Sequence, residues 1–420
     1  MNTTRFRRSA WAPAALVAAV SLALAGCAAD EETSAPAGEG VSFGASMEEY
    51  QAALADMTPV TLKIQGAGPE GSLIQVGTQA WADAIEEWSD GRITFDWSYS
   101  SAAVPSVTEL PTALADGRLD VVRILPYATP EVFPRLDELN TATMLDGNTP
   151  LGTLQQTAWV TDVIYNSPEI QQELDDNGIH VLTMLPSASY GGIFCTQERS
   201  TLDELSSVLV SASGQALSQE LSGIGMTPQS IAFTELFEAL ERHVVECAAT
   251  VTTSVDTIGA TDLVPHALMD TGVGLVGFSN LLAISTVSWD ALPLAAQQLL
   301  VDRLDVLYGT EAEGQASRSV GWVEQIRAAG GGIVSFDDEA RERLLEVNDE
   351  LLSELGAAGA DVDGFVDAHT RWEALLEELY PELVSPSFED FLLDGAFEDV
   401  DFSPFTDAMF EEILLPHRPS

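Results

Sequence analysis

Apolar and polar positions along this chain follow two periods, and the switch between them recurs in a fixed order. Val60 to Gln65 (VTLKIQ) alternates and predicts a strand, Gly66 to Ser72 is a Gly-rich turn, and Leu73 to Trp88 carries the helical period. A turn at Asp90-Gly91 then leads into a strand from Arg92 to Trp97. Glu109 to Ala115 predicts a helix that stops at Asp116-Gly117, and Val121 to Leu125 predicts the next strand. Strand, turn, helix, strand is the β-α-β unit of an open α/β sheet, which receives ligands beyond the carboxyl ends of its strands. The Gly-rich turn contains neither GxGxxG nor a GK[ST] ending, so it is not a phosphate loop.

The same reading carries on down the chain. Helices are predicted over Asn148 to Tyr165 and Glu169 to Asn177, then a strand over His180 to Leu185. Thr201 with Glu204 three residues on is a capping box, and Val208 to Ala212 is a short strand. Phe233, Leu236, Phe237, Leu240 and Val244 recur at helical spacing, and the apolar, β-branched run Ala248 to Val251 predicts a buried strand after that helix. Leu263 to Phe278 is expected to be a strand returning to the first part of the molecule, Pro293 to start a long helical region over Ala295 to Ala329, and Gly330 to Phe336 to form a late strand. Phe365 to Leu379 predicts an amphipathic helix. Beyond it Phe388, Phe391, Phe397, Phe402, Phe405 and Phe410 punctuate an acidic tail, and such aromatics are expected to clamp it to its own domain.

The first 27 residues have a different pattern. Arg5, Arg7 and Arg8 precede an apolar run from Trp11 to Leu24 that is too short to span a bilayer, and Leu24-Ala25-Gly26-Cys27 has the form of a lipobox. Residues 1–27 are therefore expected to be a lipoprotein signal peptide, with Cys27 lipidated, and 28–57 a flexible tether. The remaining residues are enough for two lobes with cores of their own.

Composition narrows the function. Against 66 acidic residues stand 17 basic ones, and Lys63 is the only lysine, so nucleic acid is excluded as a partner by charge repulsion. The acidic surface suits an extracellular protein in a salty medium; on its own it specifies solvation, not chemistry. Catalytic constellations are missing. His180, His243, His266, His369 and His417 are scattered without HExxH, and Ser189 lacks the first glycine of a nucleophile elbow. Asp361-Val362-Asp363-Gly364 lacks the further ligands of a calcium loop. No cofactor, metal or catalytic residue is expected.

Arg123 stands out because it is set inside an apolar strand, Leu119 to Leu125. A guanidinium there needs a partner, either a solute anion in a cleft or a structural carboxylate. Tyr127 and Phe133 follow in the loop at the strand's end and could add aromatic surface.

The Phe233–Thr253 stretch resembles the signature F-x-E-x-Y-x-A-L-x-x-G-x-V-D-G-x-E-N of the substrate-binding proteins of tripartite ATP-independent periplasmic (TRAP) transporters. Phe233, Glu235, Phe237, Ala239, Leu240 and Val245 match it, whereas Glu246, Cys247, Ala249 and Thr250 replace its Asp, Gly, Glu and Asn. Thr201 to Leu205 is similar to the family's P-x-D-L helix start, Trp289 to Gln297 to W-x-x-L-P-x-x-x-Q, and Gly330 to Glu339 to G-x-x-V-x-x-x-D-x-E. The resemblance covers roughly residues 58–360.

It implies a two-lobe, periplasmic-binding-protein-like α/β fold of type II, with lobes joined by crossing strands and a long helix. On that basis 58–186 begin lobe 1, 187–262 form lobe 2, 263–360 return to lobe 1 and include the spanning helix, and 361–420 are an acidic C-terminal extension. It implies an extracytoplasmic, non-enzymatic receptor that captures a small organic solute between the lobes and delivers it to the membrane permease subunits of a TRAP transporter. A tethered sensor or scavenger is the alternative within binding proteins, and an extracellular enzyme the alternative outside them. Ligand contacts carried over by position are Tyr190, Ser211, Phe233 and Thr250, joined by Arg123 and Tyr127. Two family arginines are missing: Ser211 stands in place of one, and Tyr190 to Gly192 in place of the other. That departure favours a neutral solute held by hydrogen bonds, unless Arg123 takes over an anion. The resemblance also brings the strands carrying Cys195 and Cys247 to one side of a cleft, which implies a disulfide between the two thiols left once Cys27 is lipidated.

Overall fold

A computed structural model describes residues 40–72, 74–185, 190–384 and 400–420. Cys27, the segment Ser187–Ser189 and Phe388, Phe391 and Phe397 lie outside the described residues. The strands are β1 (Val60–Gln65), β2 (Ile93–Ser98), β3 (Val121–Ile124), β4 (Ile179–Met184), β5 (Gly191–Cys195), β6 (Leu209–Ser211), β7 (Thr227–Gln229), β8 (Cys247–Val251), β9 (His266–Leu268), β10 (Leu281–Ser285) and β11 (Gly332–Val334).

They form two sheets. The first has the order β2-β1-β3-β10-β4, with β1 parallel to both β2 and β3 and β10 antiparallel to β3 and β4. The second has the order β11-β9-β5-β8-β6-β7. Each sheet therefore contains a strand that arrives late in the chain: β10 enters the first sheet after β9 has left the second, and β11 rejoins the second. The chain thus crosses between lobes from β4 to β5, from β9 to β10, and through the Leu304–Ala328 helix to β11. That helix packs on the Val76–Trp88 helix of the first lobe and on the Thr252–Thr257 helix of the second. The predicted two-lobe α/β architecture is the one observed.

The first-lobe core holds the β1–β3–β10 strand centres together with Trp81, Trp159 and Tyr308, all fully buried. The second is smaller and gathers Ile193, Val210, Leu221, Cys247 and Leu344. No helix among the described residues is long and apolar enough to cross a membrane.

Several elements differ from expectation. The region from Leu263 to Phe278 is not one strand: β9 stops at Leu268 and the return strand is β10. The segment between them is held by side chains instead of a ladder. Val276 N–H donates to Glu220 at 2.8 Å, Gly277 N–H to Thr143 Oγ1 at 2.7 Å and Ser279 N–H to Asn140 Oδ1 at 2.9 Å. Gly274 is needed there because a Cβ would fall 2.1 Å from the Asp146 carbonyl oxygen. The helix expected to start at Phe233 opens as a 3₁₀ turn, Phe233–Glu235, and the α-helix is only Leu236–Glu241. Phe233 and Val244, at its two ends, are exposed. The long helical region breaks at Arg303 into Leu294–Asp302 and Leu304–Ala328.

The ordered body also begins earlier than residue 58. Ser46 caps a Met47–Leu54 helix through a capping box with Glu49, and its Tyr50 and Leu54 are fully buried. Four-residue spacing of two large apolar side chains is enough to seat this helix on the core, so the part of the expected tether from Met47 to Leu54 is helical. At the other end the Val362–Leu379 helix forms as predicted, with Asp361 capping it by accepting from Gly364 N–H. That contact gives the Asp361–Gly364 motif a structural role. Phe402, Phe405 and Phe410 are buried in the first-lobe core, so this part of the tail is clamped as its aromatics suggested.

Candidate functional site

The crossings create the site. β5 starts and β8 ends at the border between lobes, and their antiparallel register sets Gly191 opposite Val251 and Gly192 opposite Thr250. On the other side the first-lobe turn Asp146–Asn148 leads into the Gly152–Asn166 helix. The side-chain-tethered segment Leu275–Phe278 closes the third wall. Together they enclose roughly 580 Å³ of empty space, part of it open to solvent.

Glycine sets the width of this cavity. A Cβ at Gly192 would meet Met269 Cγ at 2.8 Å, so that position has to be bare. Gly191 has nothing within 4 Å of its Cβ position, which leaves open space at one of the positions where the resemblance would set an arginine. No lysine, arginine or histidine is among the described residues that line the cavity. Its polar side chains are Asp146, Asn148, Thr153, Gln156, Tyr190 and Thr250.

Asp146 is fully engaged. Trp159 Nε1 donates to its Oδ2 at 2.9 Å, Gln156 Nε2 to the same oxygen at 3.2 Å, and His369 Nε2 lies 3.3 Å from Oδ1. Burial pushes its carboxyl above the ordinary range, opposed by the hydrogen bonds from His369, Trp159 and Gln156. His369 sits on the Val362–Leu379 helix, so the extension supports a residue of the cavity wall.

Of the residues singled out from sequence, Tyr190 and Thr250 line this cavity together. Tyr190 is buried and its hydroxyl donates to the Pro150 carbonyl at 3.2 Å. Tyr127 sits beside the cavity, edge-on to Phe278 with ring centroids 5.4 Å apart. It also reaches the second lobe: a Cβ on Gly214, which precedes the Gln215–Gly223 helix with φ +90°, would touch Tyr127 Cβ at 3.9 Å. Ser211 ends β6 and is buried, opposite Ala248 of β8. Phe233 is exposed and lines neither cavity described here. Arg123 borders a second, smaller cavity at the carboxyl ends of β1 and β3, of about 290 Å³. Cys195 and Cys247 stand directly opposite in the β5–β8 ladder with Cα atoms 4.1 Å apart, and the structure joins them in a disulfide.

Sequence reasoning missed Asp146, Gln156 and His369. Asp146 follows a run of small and apolar residues without any periodic signal, and His369 lies two hundred residues away on an element outside the resemblance. Only the fold brings them together.

Comparison with known proteins places residues 65–358 within the model of the DctP family, bacterial extracellular solute-binding protein family 7. Among solved structures, an extracytoplasmic solute receptor of Bordetella pertussis binding pyroglutamic acid is similar at 18% identity and a TM-score of 0.62, covering 74% of this chain and 100% of that one. A sugar acid binding protein of Advenella mimigardefordensis in complex with galactonate is similar at 17% identity and a TM-score of 0.62, over 76% and 100%. A TRAP solute binding protein of Rhodoferax ferrireducens with copurified benzoate is similar at 18% identity and a TM-score of 0.63, over 76% and 99%. No curated protein matches the sequence.

Proposed function

The chain belongs to family 7 of the bacterial extracellular solute-binding proteins, and from that premise we propose that it is a lipid-anchored receptor on the outer face of the cell membrane, tethered through Cys27. It holds a small organic solute between its lobes and passes it to the membrane permease of a TRAP transporter. The observation that carries this reading is the cavity where β5 and β8 meet the Asp146–Gln156 wall of the other lobe. A solute there touches both lobes at once, so it binds the closed arrangement in preference to an open one and shifts the population toward it. Tyr127 against Gly214 is the contact that such closure would make and opening would break.

The non-enzymatic assignment rests on the family, whose members are solute-binding proteins. The described residues that line the cavity offer carboxylate, amide and hydroxyl groups, glycine and apolar side chains. Related proteins bind pyroglutamic acid, galactonate and benzoate, which are small organic acids. A solute of that size suits the space between the lobes here.

The test is to denature the protein purified from its native host and identify released small molecules by mass spectrometry. The compound found is then added back to stripped protein. Binding of that compound should raise the melting temperature and reduce the radius of gyration in X-ray scattering. A broad metabolite panel that gives neither a thermal shift nor compaction would sink the receptor reading. For the anchor, mass spectrometry of the mature N-terminus should find diacylated Cys27; an unmodified N-terminus beyond Cys27 would remove it.

A further inference from the structure

We propose that the solute is uncharged, and that its hydroxyl or amide groups are held across the interlobe cavity by Asn148 of the first lobe and Thr250 of the second. This rests on the interlobe reading above and names the chemical class of its solute, one that departs from the organic acids bound by the similar structures.

The uncommitted polar groups of the cavity are neutral. Asn148 sits in the turn before the Gly152–Asn166 helix, where its backbone N–H donates to the Asp270 carbonyl at 2.9 Å. Its half-buried side-chain amide has no hydrogen-bond partner among the described residues. Thr250 stands opposite Gly192 in the β5–β8 ladder, and its half-buried hydroxyl has none either. Gln156 donates from Nε2 to Asp146, and because an ionised carboxylate only accepts, Oε1 is the end of that amide left over as an acceptor. An amide and a hydroxyl each give and take hydrogen bonds. Such groups on opposite walls match a solute whose own groups do the same, as hydroxyls and carboxamides do.

Neither sign of charge is provided for. The carboxylate of the wall, Asp146, is saturated: Trp159 Nε1 reaches its two oxygens at 3.2 and 2.9 Å, Gln156 holds Oδ2 and His369 lies against Oδ1. Those four contacts use about the four lone-pair directions that a carboxylate has, so a solute ammonium finds no open place on it.

An anion is worse off. No lysine, arginine or histidine is among the described residues that line the cavity, and Leu73, Pro186 to Ser189 and 385–399, which lie outside the described residues, contain none. Arg123 borders the separate cavity of about 290 Å³, where Glu311 attracts it, and does not line this one. The net charge of −49 adds a field that repels anions at long range. Taking an ionised group out of water without a partner costs far more than a hydrogen bond returns, so this lining selects against both charges. Its apolar part, with Leu217, Leu275 and Phe278, suits the carbon skeleton of an uncharged compound.

The experiment is calorimetric titration of the stripped mature protein at neutral pH with pyroglutamate, galactonate and benzoate, each paired with its uncharged amide. At least one amide should bind about 10-fold or more tighter than its acid, the least expected for an anion left unpaired, and should reduce the radius of gyration in X-ray scattering. Asn148→Ala and Thr250→Val should each weaken that amide by about 2- to 10-fold, the range for a neutral hydrogen bond. Gly191 lines the cavity with nothing within 4 Å of its Cβ position, so Gly191→Lys can supply the missing cation. It should shift the preference toward the acid by about 10-fold or more. Arg242→Gln, an exposed charge on the second lobe, controls for net charge. Circular dichroism establishes that each variant folds, and Gly191→Lys keeps the test open should Asn148→Ala or Thr250→Val fail. An acid that binds tighter than its amide and compacts the protein overturns the uncharged class and leaves the interlobe reading standing. Amide binding with compaction that neither Asn148→Ala nor Thr250→Val weakens overturns the two contacts and leaves that reading standing as well. Binding of none of the six compounds counts against both.

Discussion

His369 Nε2 lies 3.3 Å from Asp146 Oδ1, joining a helix outside the family-matched residues to the wall of the interlobe cavity. The Gln155 side-chain amide lies 2.9 Å from the same imidazole nitrogen, and Trp159 packs edge-on with centroids 6.0 Å apart. The extension is therefore part of the site's support and not an appendage to the fold.

That contact is pH-dependent. Burial pulls the His369 pKa down, but the hydrogen bond and charge of Asp146, helped by Glu373, outweigh it and the net shift is upward. Asp146 is also shifted upward, by burial, which works against the ion pair. The imidazole decides the sign, because two carboxylates face it. A raised folded pKa gives stability that is complete below the unfolded value and is lost as pH rises through the folded one. Melting temperatures of wild type and His369→Gln should therefore differ most near pH 6 and converge toward pH 9. A gap that widens with pH would mean that the imidazole is held neutral.

A second anchor of the extension is Trp372, fully buried, whose Nε1 donates to Asp162 Oδ2 at 3.2 Å while Arg371 pairs with the same oxygen. Trp372→Ala removes the largest apolar body on this helix and leaves a buried carboxylate short of one donor. Losses of about 3–5 kcal/mol are usual for such a truncation. Denaturant unfolding should show that loss, and a change below about 1 kcal/mol would mean that the extension is only loosely docked.

How much of this was legible differs by element. The β-α-β units were readable because a half-buried strand and an amphipathic helix each impose a period on the sequence, as in Val60–Gln65 and the helix that follows it. The crossing segment before β10 was not, because Asn140, Thr143 and Glu220 satisfy its backbone and leave no alternation to detect. Tyr190 and Thr250 could be placed by motif position, since a strand register carries residues with it. Asp146 and His369 could not, because only the folded chain brings a histidine of the C-terminal helix to that carboxylate. The Ser46–Glu49 capping box was present in the sequence and would have moved the start of the folded body to Met47.

The disulfide joins β5 to β8 inside the second-lobe core and closes a loop with a sequence separation of 52. In the chain-entropy picture a loop of that size is stabilised by about 4 kcal/mol. Denatured, unreduced protein lacking Cys27 should show no reactive thiol. Cys195→Ser/Cys247→Ser should melt at lower temperature than wild type, and wild type in reductant should approach it. Two free thiols before reduction would exclude the bond.

The buried carboxyl of Glu220 ties pH to the geometry of the cavity's third wall. It is fully buried on the Gln215–Gly223 helix, and the only hydrogen-bond donor to it among the described residues is Val276 N–H. Burial raises its pKa from 4.5 to about 8, with the Val276 bond pulling the other way. The folded state therefore holds this proton more tightly than the unfolded chain does. Glu220's contribution to stability is complete below about pH 4.5 and declines as pH rises toward 8, by an amount on the order of a few kcal/mol, then levels off. Glu220→Gln keeps an acceptor for Val276 and removes the titration, so its stability should fall less between pH 5 and 8 than that of wild type. Because the rest of the acidic surface is common to both proteins, the difference between their curves isolates this one group. Parallel curves across that interval would show that Glu220 is ionised in the fold, and the Leu275–Phe278 wall would then need a cationic partner that its present neighbours do not supply.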